Sequence, residues 1–509
     1  MNLRCLLKRE SQRKLLLIET LYYSKYPKTS DQLIQLLDCT PPALSRYIRA
    51  VNQNEDPYYI HRENGLYSLM VAENATIDAL ISSLIRQTLS FKILEITLFE
   101  EFFTLQKLAK ALHCSVATLQ AHLTELENVI ARWNLTIERK PYRIVGNEKA
   151  IRHLFYLVFF EKKTQKNELC YSNELFEKGD AVLRSLIENN QLNCSYAQYR
   201  RLRMMFFISL ERVRHHHFFP QYFLSSLHVT PPDQKICREF DKELVKELGI
   251  GYTHEVMKES FWLLYCDLVL LGEQQKRHAL FTNYFLSQQY ANHYQLVEEF
   301  DDLLLEPLTS EKKSQLTDLL INQNLYHIDT KEYISLLRDG KQDYINLLEN
   351  FHAHCVHKIR QLVTRFTTKY HCFQSEEFIT GYVYQLIAAV PECLTGMKQY
   401  DEPVRLLIAA SDPTTREGLL AQLIQSSVRG NYTISHSTFN YLDQTNYLEE
   451  LNNHDLILRT SEIDPPPCST PILAIESCPS IFKLHKLQHM VEKIYQKKNI
   501  RMNKSSGVL

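Results

Sequence analysis

Apolar residues recur at helical spacing over most of the chain, and strand-like alternation replaces it at only a few places. From Gln12 to Tyr22, the residues Leu15, Ile18, Leu21 and Tyr22 share a face. Pro27 breaks the run, and Ser30 and Asp31 open a short helix, Gln32 to Leu37. Asp38 and Cys39 turn the chain into the stretch Thr40 to Gln53, around which the rest is organised. Thr40 can cap a helix start by accepting from its free N–H groups. Pro41 suits the first turn, where a missing donor is not needed. Leu44, Ile48 and Val51 then fall on one inward face, and Ser45, Arg46 and Arg49 point outward. Tyr58–Arg62 and Leu66–Leu69 flank Glu63-Asn64-Gly65, and Asn-Gly between such runs is a strong hairpin signal. Helix, helix, helix, hairpin predicts a winged helix-turn-helix over residues 1–72, with Arg62 and Asn64 at the wing tip.

The pattern then repeats over 73–160. Phe91 to Phe103 reads as an apolar helix. Thr104 caps Leu105 to Leu112, His113-Cys114 turns, and Ser115 caps a long helix from Val116 to Trp133. Thr118, Gln120 and Thr124 face outward on that helix. A second wing follows, with strands Leu135–Arg139 and Tyr142–Val145 about a Lys140-Pro141 turn. Its tip carries Arg139, Lys140 and Arg143.

Nearly everything from Ile151 to Tyr400 reads as amphipathic helix, including single helices over Tyr196–Phe218, Asp233–Leu248 and His254–Leu271. A second set covers Phe281–Leu305, Ser310–Gln323, Tyr344–Thr368 and Ser375–Val390. The division is into bundles over 161–280 and 281–400. The period changes in 401–509. Strands at Val404–Ala410, Tyr432–Phe439, Asp455–Thr460 and Ile472–Ile475 alternate with helices, which implies a small parallel α/β sheet. The last helix is expected over Ile481–Lys497, and Asn499–Leu509 reads as a disordered tail. The fold class is therefore mainly α and multidomain.

Composition narrows the function. Only 12 glycines occur in 509 residues, and no dinucleotide, P-loop or zinc-protease motif is present. No catalytic set, cofactor or metal site is expected. Net charge is −1, so the chain is not a polycation that coats nucleic acid. Basic residues gather instead at the start (Arg4, Lys8, Arg9, Arg13, Lys14). The 12 cysteines show no C-x-x-C spacing, which fits a reducing cytosol. No signal peptide is read at the start, and the apolar run Phe261–Leu271 is too short to cross a bilayer.

The tandem modules and the run Tyr142, Arg143, Ile144, Gly146, Glu148, Ile151, Arg152 resemble the Mga/AtxA family of virulence regulators, RofA-like proteins among them. The resemblance implies a cytoplasmic DNA-binding transcription factor and no enzyme. It implies that the bundles are phosphotransferase-regulation domains and that the last domain is like the IIB unit of sugar phosphotransferase systems. It further implies histidine phosphorylation by a phosphocarrier protein. The candidates are His215, His216 and His217 at the end of one helix, and His352, His354 and His357 within another, with Arg212, Arg214 and Arg360 as phosphate-binding partners. In a IIB unit the loop after the first strand opens with a phosphoryl-accepting Cys or His. Here that loop is Ser411-Asp412-Pro413-Thr414-Thr415 and holds neither, so the domain is expected to be degenerate and to serve homodimerisation or partner contact. Duplex DNA contacts are expected from Ser45, Arg46, Arg49, Arg62 and Asn64, and from Thr118, Gln120, Thr124, Arg139, Lys140 and Arg143. The alternatives are an RNA-binding antiterminator, since such bundles also occur there, and a phosphotransfer enzyme.

Overall fold

The computed structural model describes residues 3–24, 27–52, 58–73, 76–162, 171–192, 194–220, 223–224, 229–266, 269–324, 334–337, 339–370, 375–396, 403–410, 415–428, 430–438, 444–460, 468–476 and 478–505. Two compact units divide the chain. The first comprises Met1–Val297, Thr309–Gly340 and Tyr370–Tyr382; the second comprises Glu298–Leu308, Lys341–Lys369 and Val383–Leu509.

The first unit opens on a 3-10 turn, Leu3–Leu6, followed by α1 (Arg9–Tyr22), β1 (Lys28–Thr29), α2 (Ser30–Leu37) and α3 (Pro41–Asn52). The cap of α2 is Thr29, one residue earlier than the sequence suggested. Its hydroxyl accepts from Gln32 N while the Gln32 side chain accepts from Thr29 N. The hairpin β2 (Tyr58–Glu63) and β3 (Leu66–Val71) turns on Asn64 and Gly65, both at positive φ. β1 joins the far edge of β3, giving the order β1-β3-β2.

Two helices, α4 (Ile77–Gln87) and α5 (Leu89–Thr97), lead to the second module. Sequence periodicity carried α5 on to Phe103, but it stops at Thr97, and Glu100 turns left-handed so that its carboxylate is buried. Then come α6 (Leu105–Ala111), α7 (Val116–Ile130), β4 (Thr136–Arg139) and β5 (Tyr142–Val145). Gly146 sits at φ +144°, where a Cβ would meet the Asn134 carbonyl oxygen at 2.7 Å. Asn147 caps the next helix, α8 (Glu148–Glu161), by accepting from Ala150 N.

The helical scaffold continues with α9 (Asn173–Asn189), α10 (Tyr196–Arg214), α11 (Gln234–Leu248), α12 (His254–Ser260) and α13 (Trp262–Tyr265). The single helix expected over His254–Leu271 is broken at Phe261. There, packing decides: Phe261 stacks on Phe206 at 4.6 Å and Trp262 lies against Phe219 at 5.1 Å. Likewise α10 ends at Arg214 rather than Phe218. The expected Phe281–Leu305 helix is also divided: α14 (Glu273–Thr282) is followed by α15 (Tyr284–Asp301), with Asn283 extended between them. After α15 comes α16 (Ser310–Asn324).

In the second unit, α17 (Gly340–Lys369) is kinked at His352, whose φ of −137° is not helical. After α18 (Glu376–Ala389) and α19 (Cys393–Gly396), strands β6 (Val404–Ala410), β7 (Tyr432–Thr438), β8 (Leu456–Arg459) and β9 (Ile472–Ala474) alternate with α20 (Thr415–Ser427), α21 (Gln444–Asn452) and α22 (Ile481–Ser505). All strand pairs are parallel, in the order β7-β6-β8-β9. α22 runs through residues expected as a disordered tail. Residues 411–414 of the loop after β6 lie outside the described residues. Among those described, no helix is long and apolar enough to cross a membrane.

Candidate nucleic-acid interface

The two modules are built alike at the turn. Asp38 (φ 45°) and His113 (φ 52°) each take the left-handed conformation before a cysteine. Cys39 N donates to Ile34 O, and Cys114 N donates to Ala109 O. Thr40 and Ser115 follow, and their carbonyls accept from Leu44 N and Leu119 N to begin α3 and α7. In this correspondence Arg46 and Arg49 of α3 match Ala121 and Thr124 of α7. The outer face of α3 is cationic, and that of α7 presents hydroxyl and amide groups.

On α3, Leu44, Tyr47 and Val51 are buried, and Ser45, Arg46 and Arg49 are exposed. Tyr47 is an inward residue that simple periodicity did not pick out. Arg62 and Asn64 are exposed on the adjoining wing, and the Arg62 guanidinium lies 5.4 Å from the Tyr67 ring centre. Wing and helix are joined by Asn52, which sequence reading missed. Its Oδ1 accepts from Ile60 N at 2.8 Å and its Nδ2 donates to Ile60 O at 3.0 Å. From the other side, Arg13 donates to the Asp38 carbonyl at 2.9 Å and braces the turn. Gln53 lies outside the described residues.

On α7, Thr118 and Thr124 are exposed and Gln120 is half-buried. Thr124 donates its hydroxyl to Gln120 O, and Thr118 N donates to the Ser115 cap. The second wing differs from the first. Lys140 is exposed, whereas Arg139 lies 3.4 Å from Glu127 and Arg143 lies 2.6 Å from Glu138 and 3.5 Å from Glu100. Two of its three basic groups are thus already held by carboxylates.

Beneath this wing is a buried charge cluster that periodicity alone could not locate. Arg212 of α10 reaches Glu148 at 2.8 Å and Glu100 at 3.2 Å, and Arg152 reaches Glu148 at 2.9 Å and Glu259 at 2.8 Å. His217 Nε2 is 2.5 Å from Glu100 Oε1, and Arg152 donates to the His217 carbonyl. Burial opposes charge on Glu148, but Arg212 and then Arg152 hold its carboxyl below the usual range. Burial likewise opposes charge on Glu100; the bond and charge of His217, then Arg212, bring it down. At Glu259 burial prevails over Arg152 and raises the carboxyl.

The other histidines are dispersed. His215 is half-buried and His216 exposed. His352 is half-buried at the kink, and burial lowers its pKa against a backbone bond to Leu394. His357 Nε2 lies 2.8 Å from the Gln361 amide. The His354 side chain lies outside the described residues. The candidate phosphate partners are engaged: Arg212 as above, Arg214 with Glu211 at 2.9 Å and Arg360 with Glu349 at 3.6 Å. Among the described residues no group of His, Cys, Asp and Glu is placed to hold a metal ion.

Two units of turn, exposed helix and adjoining wing on a helical scaffold define a tandem winged helix-turn-helix protein. Comparison with known proteins agrees. Residues 73–159 match the Mga helix-turn-helix domain. Over 91% of its length the chain is 19% identical to a trans-acting regulator of Streptococcus pneumoniae, covering 94% of that protein. It is 24% identical to the capsule synthesis positive regulator AcpB of Bacillus anthracis, over 80% of this chain and 83% of the relative. A third relative, the capsule synthesis positive regulator AcpA of the same organism, is 27% identical over 29% of the chain and 31% of its own length. These likenesses support a transcriptional regulator of the Mga/AtxA type.

Proposed function

We propose that this regulator binds duplex DNA through both winged modules and sets transcription according to the state of a sugar phosphotransferase system. The observation that carries the reading is the exposure of Ser45, Arg46 and Arg49 on α3 beside Arg62 and Asn64 on its wing. These groups offer phosphate and guanine-edge contacts from one helix and one hairpin. Thr118, Gln120 and Thr124 supply polar contacts from the second module, and Lys140, Arg139 and Arg143 supply its backbone contacts.

The bundles 161–280 and 281–400 act as phosphotransferase-regulation domains. Among their histidines, exposed His216 is the most accessible of its trio to a phosphocarrier protein. The parallel sheet of 401–509 supports a IIB-like domain, used for homodimerisation.

Gel-shift titration of full-length protein at moderate salt tests the DNA reading. Arg46→Ala and Arg49→Ala each weaken binding by about 1–3 kcal/mol where they touch base edges, and change sequence preference. Unchanged affinity in both would sink the assignment. Mass spectrometry after incubation with phosphorylated carrier, mapping His215, His216, His217, His352, His354 and His357, tests the phosphate reading. Absence of phosphate on all six would overturn it.

A further inference from the structure

The geometry points to Glu100 as a positioning residue that restrains Arg143 of the second wing while tied through its other oxygen to Arg212 and His217. This inference rests on the DNA-binding reading above. One buried carboxylate, 4% exposed, serves three positive or protonatable side chains from three different elements. Oε1 meets His217 Nε2 at 2.5 Å and Arg212 at 3.2 Å; Oε2 meets Arg143 at 3.5 Å. Arg143 is the longest of the three contacts and the most exposed partner, its side chain 29% accessible against 1% for Arg212 and 17% for His217. It is therefore the one free to leave. Its other partner, Glu138, is exposed on the neighbouring strand and can move with it.

Glu100 itself is out of reach of a duplex. Its charge acts inward, competing with a phosphate for the Arg143 guanidinium. His217 and Arg212 both draw on Oε1, which leaves Oε2 for Arg143. His217 faces Glu100 from the loop before α6, Arg152 of α8 donates to its carbonyl, and Arg212 of α10 and His215 just past that helix act on the same Glu100 carboxylate. Behind these stand Glu148 and Glu259, which both pair with Arg152. The helical scaffold thus meets the wing arginine through a single carboxylate.

The test is fluorescence anisotropy of full-length protein with a random-sequence duplex pool, across salt concentrations at constant pH. Glu100→Gln is expected to raise affinity about three- to fivefold and steepen the logarithmic salt slope by about one. Adding Arg143→Ala to it abolishes both gains, which a merely structural role for Glu100 would not do. Arg143→Ala alone is expected to leave affinity at or below the wild-type value. Should Glu100→Gln fail to fold, Glu100→Asp decides: its shorter side chain draws the carboxylate away from Arg143, so it is expected to give part of the same gain. Wild-type affinity and slope in a folded Glu100→Gln or, failing that, in Glu100→Asp overturn the inference and leave the DNA reading intact. A wild type with no salt-dependent binding overturns both.

Discussion

Arg212 and Glu148 lie 64 residues apart in sequence and 2.8 Å apart in space, both almost wholly buried. The pair ties the long helix of the first bundle to the helix that leaves the second wing. The same guanidinium also donates to the Ile144 carbonyl within that wing. The scaffold and the reader are therefore joined by charge-assisted hydrogen bonds inside a low-dielectric interior.

Breaking such a pair leaves a buried charge uncompensated. Arg212→Met is expected to cost about 3–5 kcal/mol of stability. Arg212→Lys keeps the charge but not the fork, which here reaches two carboxylates, so it recovers only part of the loss. Urea unfolding of the three proteins checks this; a lysine variant as stable as the wild type would contradict it.

Asn52 satisfies both backbone groups of Ile60. Asn52→Ala strands them and is expected to cost about 1–3 kcal/mol and to weaken duplex binding. Asn52→Asp keeps an acceptor for Ile60 N but turns a carboxylate oxygen toward Ile60 O, so it gives no rescue. Thermal melts and gel shifts of both variants read the outcome.

His293 gives an acid-side signature. Its Nδ1 donates to Gln289 O at 2.6 Å, which leaves Nε2 to accept from the Tyr382 hydroxyl at 2.8 Å. Burial lowers its pKa from 6.5 to about 4, against the Gln289 bond. The unfolded chain takes up this proton first as pH falls. The stability contributed by the neutral ring is thus full above about pH 6.5 and is lost as pH falls through 4, about 3 kcal/mol in all. Glu148 and Glu100, whose pKa values are lowered, add losses of the same sign below the ordinary carboxylate range. Denaturant unfolding at several pH values should show this slope, and His293→Gln should flatten its upper part.

Gly146→Ala is expected to destabilise the second wing by about 1–3 kcal/mol, from positive φ and a Cβ against Asn134 O. Hydrogen exchange should localise the loss to β4 and β5. Uniform protection in wild type and variant would contradict the argument.

The run Tyr142 to Arg152 illustrates how far sequence reaches. Tyr142 and Ile144 are buried strand residues, Gly146 makes a close turn and Asn147 caps a helix, all roles set by alternation and local backbone chemistry. The two turn–helix units, the Ser115 cap and the Asn64-Gly65 hairpin were legible for the same reason: spacing, capping and left-handed turns involve neighbours a few residues apart. What Glu148 and Arg152 touch was not legible, because Arg212 and Glu259 come from distant helices. The breaks at Thr97 and Phe261 escaped periodicity similarly, since buried carboxylates and stacked rings from elsewhere in the chain override helical propensity. The sequence by itself determined which elements form and which faces they bury. Only the tertiary structure decided which wing arginines are exposed and which are held, because ion pairing inside a protein depends on distance in space and on exclusion of water.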